Sequence, residues 1–280
     1  MKYANYGVLN VVAHPHPEGT YRRLFELAAV KDEGVNFRAD QYAKTSAISD
    51  SRDGIFTGRV AIWTAIDRNA KTIQTRTLIE AALADTNVRI PDDLGFNSKI
   101  FSFSFREKDH RMFVELNNEE GKSVSIGVVQ KIISSILNSI KPDDIEEVNV
   151  FVVSRKNAVE QILSMEVLSK IEIVLDMPNP DDLSPGKQRI LNNLREMRAK
   201  RLRTELTKAR GEDTLILLDY YRELAELAKD DGYVKANGKI DGEKVERSTK
   251  DYPEDIEIEL LPDESSAAAV RRIALPDGEA

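Results

Sequence analysis

Cysteine is absent from the sequence, and its absence excludes several kinds of chemistry. Without a thiol there can be no disulfide bond, no cysteine nucleophile, no iron–sulfur cluster and no zinc ribbon. Histidine is scarce, with three residues in 280, so a metal site would need carboxylate ligands as well. No G-x-S-x-G sequence is present, which removes the nucleophile elbow of the α/β-hydrolases.

Long apolar runs are absent too. No run approaches the ~20 residues that a membrane-spanning helix needs. The first apolar segment, Gly7 to Ala13, is too short for the hydrophobic region of a signal peptide and contains Asn10. We therefore expect a cytoplasmic protein with no membrane partner.

Charge is abundant but unevenly placed. Charged residues make up 31% of the chain, and the net charge is −8 at pH 7. This composition is typical of a folded, soluble protein, and the length favours about two domains. A negative net charge argues against general attraction to nucleic acid, unless basic residues are concentrated in one region.

The apolar periodicity predicts an α+β fold. "KIFSFSF" alternates phenylalanine with serine, and after a charged turn "RMFVEL" predicts its antiparallel partner strand. Apolar residues recur at helical spacing from Val129 to Ile140, and "QTRTLIEAALA" also predicts a helix. For residues 1–184 we expect a mixed or antiparallel sheet with helices packed on it. Residues 185–261 should form a basic helical hairpin followed by a C-terminal β-hairpin, and residues 262–280 a polar, flexible tail.

The segment "KQRILNNLREMRAKRLRTELTKAR", from Lys187 to Arg210, is the most distinctive. It lacks glycine and proline and carries nine basic against two acidic side chains, so it predicts one long basic helix. The hairpin that follows has Asn237-Gly238 as its predicted turn and adds further basic residues. We take the following side chains as candidate phosphate contacts: Arg189, Arg195, Arg198, Lys200, Arg201, Arg203, Lys208, Arg210, Lys235 and Lys239. Two interpretations stay open, contact with nucleic-acid phosphates or pairing with acidic surface on this chain or a partner.

The segment "HPHPE" places two histidines at the end of the first predicted strand. Residues two apart on a strand share a face, so His14 and His16 can reach one metal ion, and Glu18 supplies a carboxylate. The competing interpretation is a proline-stiffened connection between a strand and a helix. No metal or other cofactor is expected under that interpretation. A divalent metal at His14 and His16 is the alternative.

Three separated phrases carry a family resemblance. "YGVLNVVAHPHPEGTYRRLFELA", "IEIVLDMPNPDDLS" and "DGYVKANGKIDGEKVERSTKDYP" occur in this order and span roughly Val8 to Pro253. Together they resemble a bacterial family known as domain of unknown function 4747. The resemblance implies a stand-alone bacterial protein with a role in phage defence, and it transfers no catalytic residue.

Three functions are compatible with these observations. The first is a protein without catalytic activity that binds DNA or RNA through phosphate contacts of the basic segment. The second is a metal-dependent, toxin-like nuclease that uses His14, His16 and Glu18. The third is an assembly subunit, self-associating or docked on an acidic protein partner through the basic segment.

Overall fold

The computed structural model describes residues 2–49, 53–67, 69, 71–86, 88–91, 93–178 and 184–275. Most strands in this part of the chain belong to a curled, antiparallel sheet of eight strands, and its spatial order is β14-β1-β8-β7-β4-β3-β2, with β9 also paired to β1. These strands are β1 Tyr3–His14, β2 Val35–Arg38, β3 Gln41–Thr45, β4 Ile55–Thr64, β7 Phe96–Arg106, β8 Arg111–Glu115, β9 Glu147–Val152 and β14 Asp255–Glu259.

Two smaller antiparallel sheets complete the strand inventory of the described residues. A four-stranded sheet has the order β11-β10-β12-β13, and a two-stranded sheet pairs β5 with β6. Their strands are β5 Lys71–Gln74, β6 Ile79–Ala82, β10 Val167–Asp176, β11 Arg201–Thr207, β12 Gly232–Ile240 and β13 Glu243–Ser248.

Six α-helices lie in the described part of the chain. They are α1 Thr20–Val30, α2 Ile126–Ile140, α3 Ala158–Leu163, α4 Pro185–Glu196, α5 Asp219–Ala228 and α6 Ser266–Ala274. The α+β class predicted from the sequence is confirmed. Among the described residues, no helix is both long enough and apolar enough to cross a membrane.

The centre of the large sheet, around β7 and β8, is buried on both faces. The helices α1 and α2 cover one face, where Phe101, Phe103 and Phe105 are at most 1% exposed. The helix α6 packs against β7 and covers the other face, so Ser104 is buried as well. The strict alternation of phenylalanine and serine therefore marks two buried faces with different chemistry.

The four-stranded sheet has its own hydrophobic core. One face packs on α4 and α5 through buried residues such as Ile171, Ile173, Leu194 and Leu224. The strand β10 precedes Ser184 in sequence but pairs with β11 and β12, which follow it. The predicted domain boundary near Ser184 stays a prediction.

Several sequence predictions are confirmed at the level of single elements. The hairpin of β7 and β8 pairs Phe103 with Val114 and Phe105 with Met112. The helix α2 buries the predicted apolar stripe, including Ile132, Ile133 and Leu137. These segments have strong periodicity, and their burial agrees with it.

Four sequence predictions are wrong. The segment predicted as a helix after Gln74 forms the β5–β6 hairpin. The β12–β13 hairpin turns at Asp241-Gly242, whereas Asn237-Gly238 lies inside β12 and pairs with β13. The predicted flexible tail contains α6, whose Val270 is fully buried, while residues 276–280 lie outside the described part. The fourth error concerns the basic segment.

The segment from Lys187 to Arg210 is not one helix. The helix α4 ends at Glu196, and after a short turn the strand β11 begins at Arg201. Arg198 lies in that turn with a φ of 53°, and this left-handed conformation cannot continue a right-handed helix. From Arg201 onward exposed and half-buried residues alternate, which is the period of a strand. Pairing with β10 along seven residues satisfies the backbone groups of β11 that point toward β10.

Candidate nucleic-acid interface

The break between α4 and β11 divides the candidate phosphate contacts into two groups. Six lie on α4, in the turn, or just before or after β11: Arg189, Arg195, Arg198, Lys200, Lys208 and Arg210. Four lie on the strands of the four-stranded sheet: Arg201, Arg203, Lys235 and Lys239. The predicted basic helix surface therefore does not exist as a single surface.

Half of the first group already has a partner within the chain. Arg189 pairs with Glu223 at 2.6 Å, and Lys200 pairs with Glu147 at 3.3 Å. The ammonium of Lys208 donates a hydrogen bond to the backbone carbonyl of Glu212. Among the described residues, no ion pair is formed by Arg195, Arg198 or Arg210.

The segment begins with a buried ion pair. Lys187 Nζ lies 3.0 Å from Asp231 Oδ2, and Lys187 is 7% and Asp231 2% exposed at the side chain. Asn10 of β1 donates a hydrogen bond to the other oxygen of Asp231 at 2.9 Å. Burial raises the pKa of Asp231 and the Lys187 charge opposes that shift. This pair connects α4 to the start of β12 in the four-stranded sheet and, through Asn10, to β1 of the large sheet. Both charged groups are buried and cannot contact a ligand.

The second group lies on the face of the four-stranded sheet that α4 and α5 leave open. Strand register places alternate side chains of β10, β11, β12 and β13 on this face. We call it the basic face, because it carries seven basic and four acidic residues. The basic residues are Lys170, Arg201, Arg203, Lys235, Lys239, Lys244 and Lys250; the acidic residues are Glu172, Asp176, Glu205 and Glu246.

At one end of the basic face, arginine side chains are held by carboxylates beneath them. Arg201 donates two hydrogen bonds to Asp176, at 2.7 and 3.0 Å. Arg203 pairs with Glu172 at 3.2 Å. The carboxylates are nearly buried, whereas the arginine side chains are 51% and 63% exposed. Each guanidinium group is therefore held in place by its carboxylate along one edge, and its other edge is exposed to solvent.

Lys250 is one of the cations of the basic face that form no ion pair with a described carboxylate. It belongs to a short 3-10 helix, Thr249–Asp251, that follows β13, and its Nζ lies 4.3 Å from the centroid of the Tyr233 ring. Burial lowers the pKa of Lys250, the neighbouring charge of Arg201 lowers it further, and the charge of Asp176 opposes this shift. An anion bound here would relieve this repulsion.

Two pockets lie along the β12–β13 hairpin. The first, of about 570 Å³, is lined by three basic side chains, Lys235, Arg247 and Lys250, and by the carboxylates of Glu246 and Asp251. The second, of about 380 Å³, is lined by Lys239 and Lys244 and by Glu246. These two lysines are direct cross-strand neighbours, and like charges in such positions repel each other. In both pockets basic side chains outnumber carboxylates, and this excess favours an anionic ligand.

Sequence reasoning missed Lys170 and Tyr233 as members of this surface. Lys170 and Glu172 alternate with Ile171 and Ile173 in "KIEIV", a pattern that already places both charged residues on the open side of a strand. The contribution of Tyr233 depends on pairing between β10 and β12, which a single sequence does not reveal.

The histidines of the "HPHPE" segment lie elsewhere, and the third histidine joins them. The ring centroids of His16 and His110 are 5.3 Å apart, and those of His14 and His16 are 6.1 Å apart. Tyr21 of α1 packs on His110 with centroids 4.4 Å apart. The peptide bond between His14 and Pro15 is cis.

Hydrogen bonds occupy one nitrogen on each of two histidines. His14 Nε2 donates to the carbonyl of Met177 at 3.0 Å, and His16 Nδ1 donates to the carbonyl of Ala13 at 2.8 Å. A nitrogen that carries a hydrogen cannot bind a metal. Within the part of the chain that the structure describes, no group of three or more histidine, aspartate or glutamate side chains is arranged to hold a metal ion. The geometry therefore does not gather His14, His16 and Glu18 into a metal site.

A family model, Domain of unknown function (DUF4747), matches residues 2–275. The chain belongs to the DUF4747 family. The match covers the large sheet, the four-stranded sheet with its basic face, and α6. All of these elements therefore belong to the family domain. A comparison with curated proteins finds no match.

Proposed function

We propose that this DUF4747 protein binds the phosphate backbone of a nucleic acid on the basic face. The observation that carries the proposal is the cluster of Arg201, Lys250 and Tyr233, where an exposed ammonium that forms no ion pair with a described carboxylate lies over an aromatic ring and near a guanidinium. Phosphate oxygens accept charge-assisted hydrogen bonds from such groups.

The extent of the basic face favours a chain of phosphates over one small anion. Neighbouring strands are about 4.8 Å apart, so basic groups on β11 and β13 are separated by roughly 14 Å across three strand spacings. Arg203 lies at one edge of this surface and Lys244 at the other. Several phosphates of one strand can then be contacted at once.

The carboxylates of the basic face do not prevent such binding. The ion pair between Lys235 and Glu246 is exposed to solvent, and exposed pairs are weak because water and salt screen the two charges. A nucleic acid that releases its condensed counterions on binding can displace them. The face presents no helix that could enter a major groove, so we expect contact that depends little on base sequence.

The decisive experiment measures binding of labelled single- and double-stranded DNA and RNA at two salt concentrations. The test variant is Lys239→Gln/Lys244→Gln/Lys250→Gln, because none of these lysines forms an ion pair among the described residues. The matched control is Arg76→Gln/Lys108→Gln/Lys131→Gln, which removes the same charge from exposed positions outside the four-stranded sheet. We expect the test variant to lose at least tenfold in affinity and the control to lose much less.

Two results would count against the proposal. If the intact protein binds none of the four probes at low salt, the basic face serves a protein partner or internal pairing instead. If both triple variants weaken binding equally, net charge and not this surface governs the interaction. Addition of Mg²⁺ or Mn²⁺ to the same assay tests the nuclease alternative, because cleavage would require a site that the described residues do not form. A role in phage defence rests on the family resemblance alone and stays a prediction.

A further inference from the structure

The strand β11 is an edge strand of the four-stranded sheet. Its one strand neighbour among the described residues is β10. The two strands pair from Arg201 to Thr207 without a bulge, and β11 contains no proline. Bulges and prolines are devices by which sheet edges avoid pairing with another chain. The edge at β11 has neither device.

About half of the backbone polar groups of β11 point away from β10. The N–H of Lys208 donates to the carbonyl of Ser169 at 2.8 Å, so Lys208 points toward β10. The carbonyl of Lys200 accepts from the N–H of Met177 at 3.0 Å and points the same way. Because this direction alternates along an antiparallel strand, the even-numbered residues between these positions point toward β10. The odd-numbered residues direct their N–H and C=O groups at the open edge: Arg201, Arg203, Glu205 and Thr207.

The sequence of this edge is complementary to itself. If two copies of β11 pair in antiparallel orientation about a two-fold axis at Thr204, Arg203 of each copy lies opposite Glu205 of the other. Leu202 lies opposite Leu206 in the same register, on the half-buried side of the strand. Opposite charges in cross-strand positions stabilise a sheet, and so do paired threonines. The central cross-strand pairs of this register are therefore all favourable.

The same register satisfies the open backbone groups. Arg203 and Glu205 point their backbone groups outward, so they form a hydrogen-bonded pair across the axis, and so do Arg201 and Thr207. The symmetry repeats each pair, which gives about eight backbone hydrogen bonds between the copies. Within each chain Arg203 pairs with Glu172 and Glu205 with Lys170, but Arg203 is 63% and Glu205 43% exposed at the side chain.

The edge strand β14 of the large sheet has the opposite property. Its charged residues are Asp255, Glu257 and Glu259. Antiparallel pairing of two copies about Glu257 would place acidic side chains opposite each other, and like charges in such positions are destabilising. Self-pairing is therefore favoured at β11 and disfavoured at β14.

We propose that two copies of this chain associate through β11 and join their four-stranded sheets into one continuous sheet. The two-fold axis is perpendicular to that sheet, so the two basic faces lie side by side on the same side of it. The contacts come from the edge strand alone, and the proposal does not depend on nucleic-acid binding.

Cysteine cross-linking tests the register, because the chain has no cysteine of its own. In the proposed dimer the two Thr204 Cα atoms are about 4.5 Å apart, within the range of roughly 4.4–6.8 Å for disulfides. The two Thr207 residues are displaced by six positions, or roughly 20 Å. We expect oxidation to convert Thr204→Cys to a covalent dimer. The control Thr207→Cys, at a more exposed position of the same strand, should stay monomeric in denaturing electrophoresis.

Sedimentation velocity of the full chain tests association without a cross-link. We expect the mass to approach twice 31.5 kDa as the protein concentration rises. Glu205→Pro removes an N–H that points outward and keeps the pairing with β10, so it should weaken association at least tenfold. The matched control Glu257→Pro removes an N–H that points away from β1 at the other edge and should associate like the intact protein.

Three outcomes would overturn the proposal. The first is a monomer at every concentration. The second is equal cross-linking of Thr204→Cys and Thr207→Cys, which would indicate random collision. The third is undiminished association of Glu205→Pro, or of Arg203→Glu, which places like charges opposite each other and serves as the second variant. Thermal unfolding of each variant verifies that it is folded.

Discussion

At the scale of single residues, basic side chains that are close in sequence do different things. Lys187 is buried against Asp231, whereas Arg189, two residues later on the same helix, pairs with Glu223 at the surface. Removing one member of a buried pair leaves an uncompensated charge, whereas an exposed pair exchanges its partner for water. Mutation of Lys187 should therefore destabilise the protein more than mutation of Arg189.

Replacement of Lys187 by methionine should lower the free energy of unfolding by about 3–5 kcal/mol, because Asp231 would keep its burial and lose its cation. The control Arg189→Gln removes the same charge from the same helix and should cost less than about 1 kcal/mol. Urea denaturation of the two variants measures both values. Equal losses would mean that Lys187 is not buried as described.

His14 should make the stability depend on pH. Burial lowers its pKa below the ordinary value near 6.5, although the Met177 carbonyl opposes this shift. The nearby charges of His16 and Arg195 lower the pKa further, and Glu147 raises it. Below the ordinary value, the unfolded chain therefore binds a proton that the folded chain does not.

The stability that His14 contributes is therefore present above the pKa of His14 in the unfolded chain. It is lost as pH falls below that value toward the lower pKa of His14 in the folded chain. We expect the free energy of unfolding to decrease between pH 7.5 and 5.5 more steeply in the intact protein than in His14→Gln. Denaturation curves at pH 7.5 and pH 5.5 give the change in the free energy of unfolding for each protein. If this change is the same in the intact protein and in His14→Gln, His14 is not the group responsible for the pH dependence.

At the scale of elements, the turn between α4 and β11 determines where the basic residues lie. Leu202 and Leu206 fit either a helical stripe or strand alternation, so apolar spacing alone did not locate the end of the helix. The register with β10 favours the strand. Arg198 lies in the turn with a positive φ. Glycine is favoured at this position in the turn, whereas it would be unfavourable at the same position in a continuous helix.

The variant Arg198→Gly distinguishes the two conformations by the sign of its effect. Glycine adopts a positive φ without steric cost, so we expect the substitution to be neutral or to stabilise the protein by up to about 1 kcal/mol. In a continuous helix the same change would destabilise by roughly 1 kcal/mol. Arg195→Gly, inside α4, is the control and should show that destabilisation in thermal or chemical unfolding.

The helix α6 is a second element that the composition of its segment did not predict. Its sequence "SAAAVRRIA" is short and rich in alanine, yet Ala269, Val270 and Ala274 are fully buried against the large sheet. Small residues allow the helix to lie close to Phe113 and Ile55. Burial of such a segment depends on contacts distant in sequence.

Val270→Asp should therefore destabilise the protein by about 3 kcal/mol or more, because it places a charge in an apolar contact. Ala268→Asp, on the exposed side of the same helix, should change stability by no more than about 0.5 kcal/mol. Chemical denaturation compares the two. Similar small effects would support the flexible tail predicted from the sequence.

The elements that could be predicted are those whose local pattern and final burial agree. The β7–β8 hairpin and α2 belong to this group, because their periodicity alone specifies them. The strands β5, β6 and β11 do not, because β propensity depends on the partner strand. For the candidate site, four of the phosphate contacts predicted from the sequence lie on the basic face, two from the basic segment and two from β12. Tyr233 and Lys170 required the order of strands in the sheet.

At the scale of the whole molecule, charge is segregated. The chain carries a net charge of −8, yet on the basic face the basic residues outnumber the acidic ones. Long-range attraction to a polyanion is consequently weak, and binding must depend on the short-range contacts of the basic face. Such an interaction should be steeply sensitive to salt.

The salt dependence of binding can count the phosphates that the basic face contacts. The logarithm of the affinity should fall linearly with the logarithm of salt concentration, with a slope near −0.7 per contacted phosphate on a single strand and −0.9 on a duplex. Lys250→Gln should reduce the magnitude of the slope by one such increment, and so should Lys239→Gln. Arg195→Gln, at the end of α4, should leave it unchanged if the interface is the sheet and not the helix. A reduction by Arg195→Gln with no effect of either lysine would move the interface to α4 and away from the open face of the sheet.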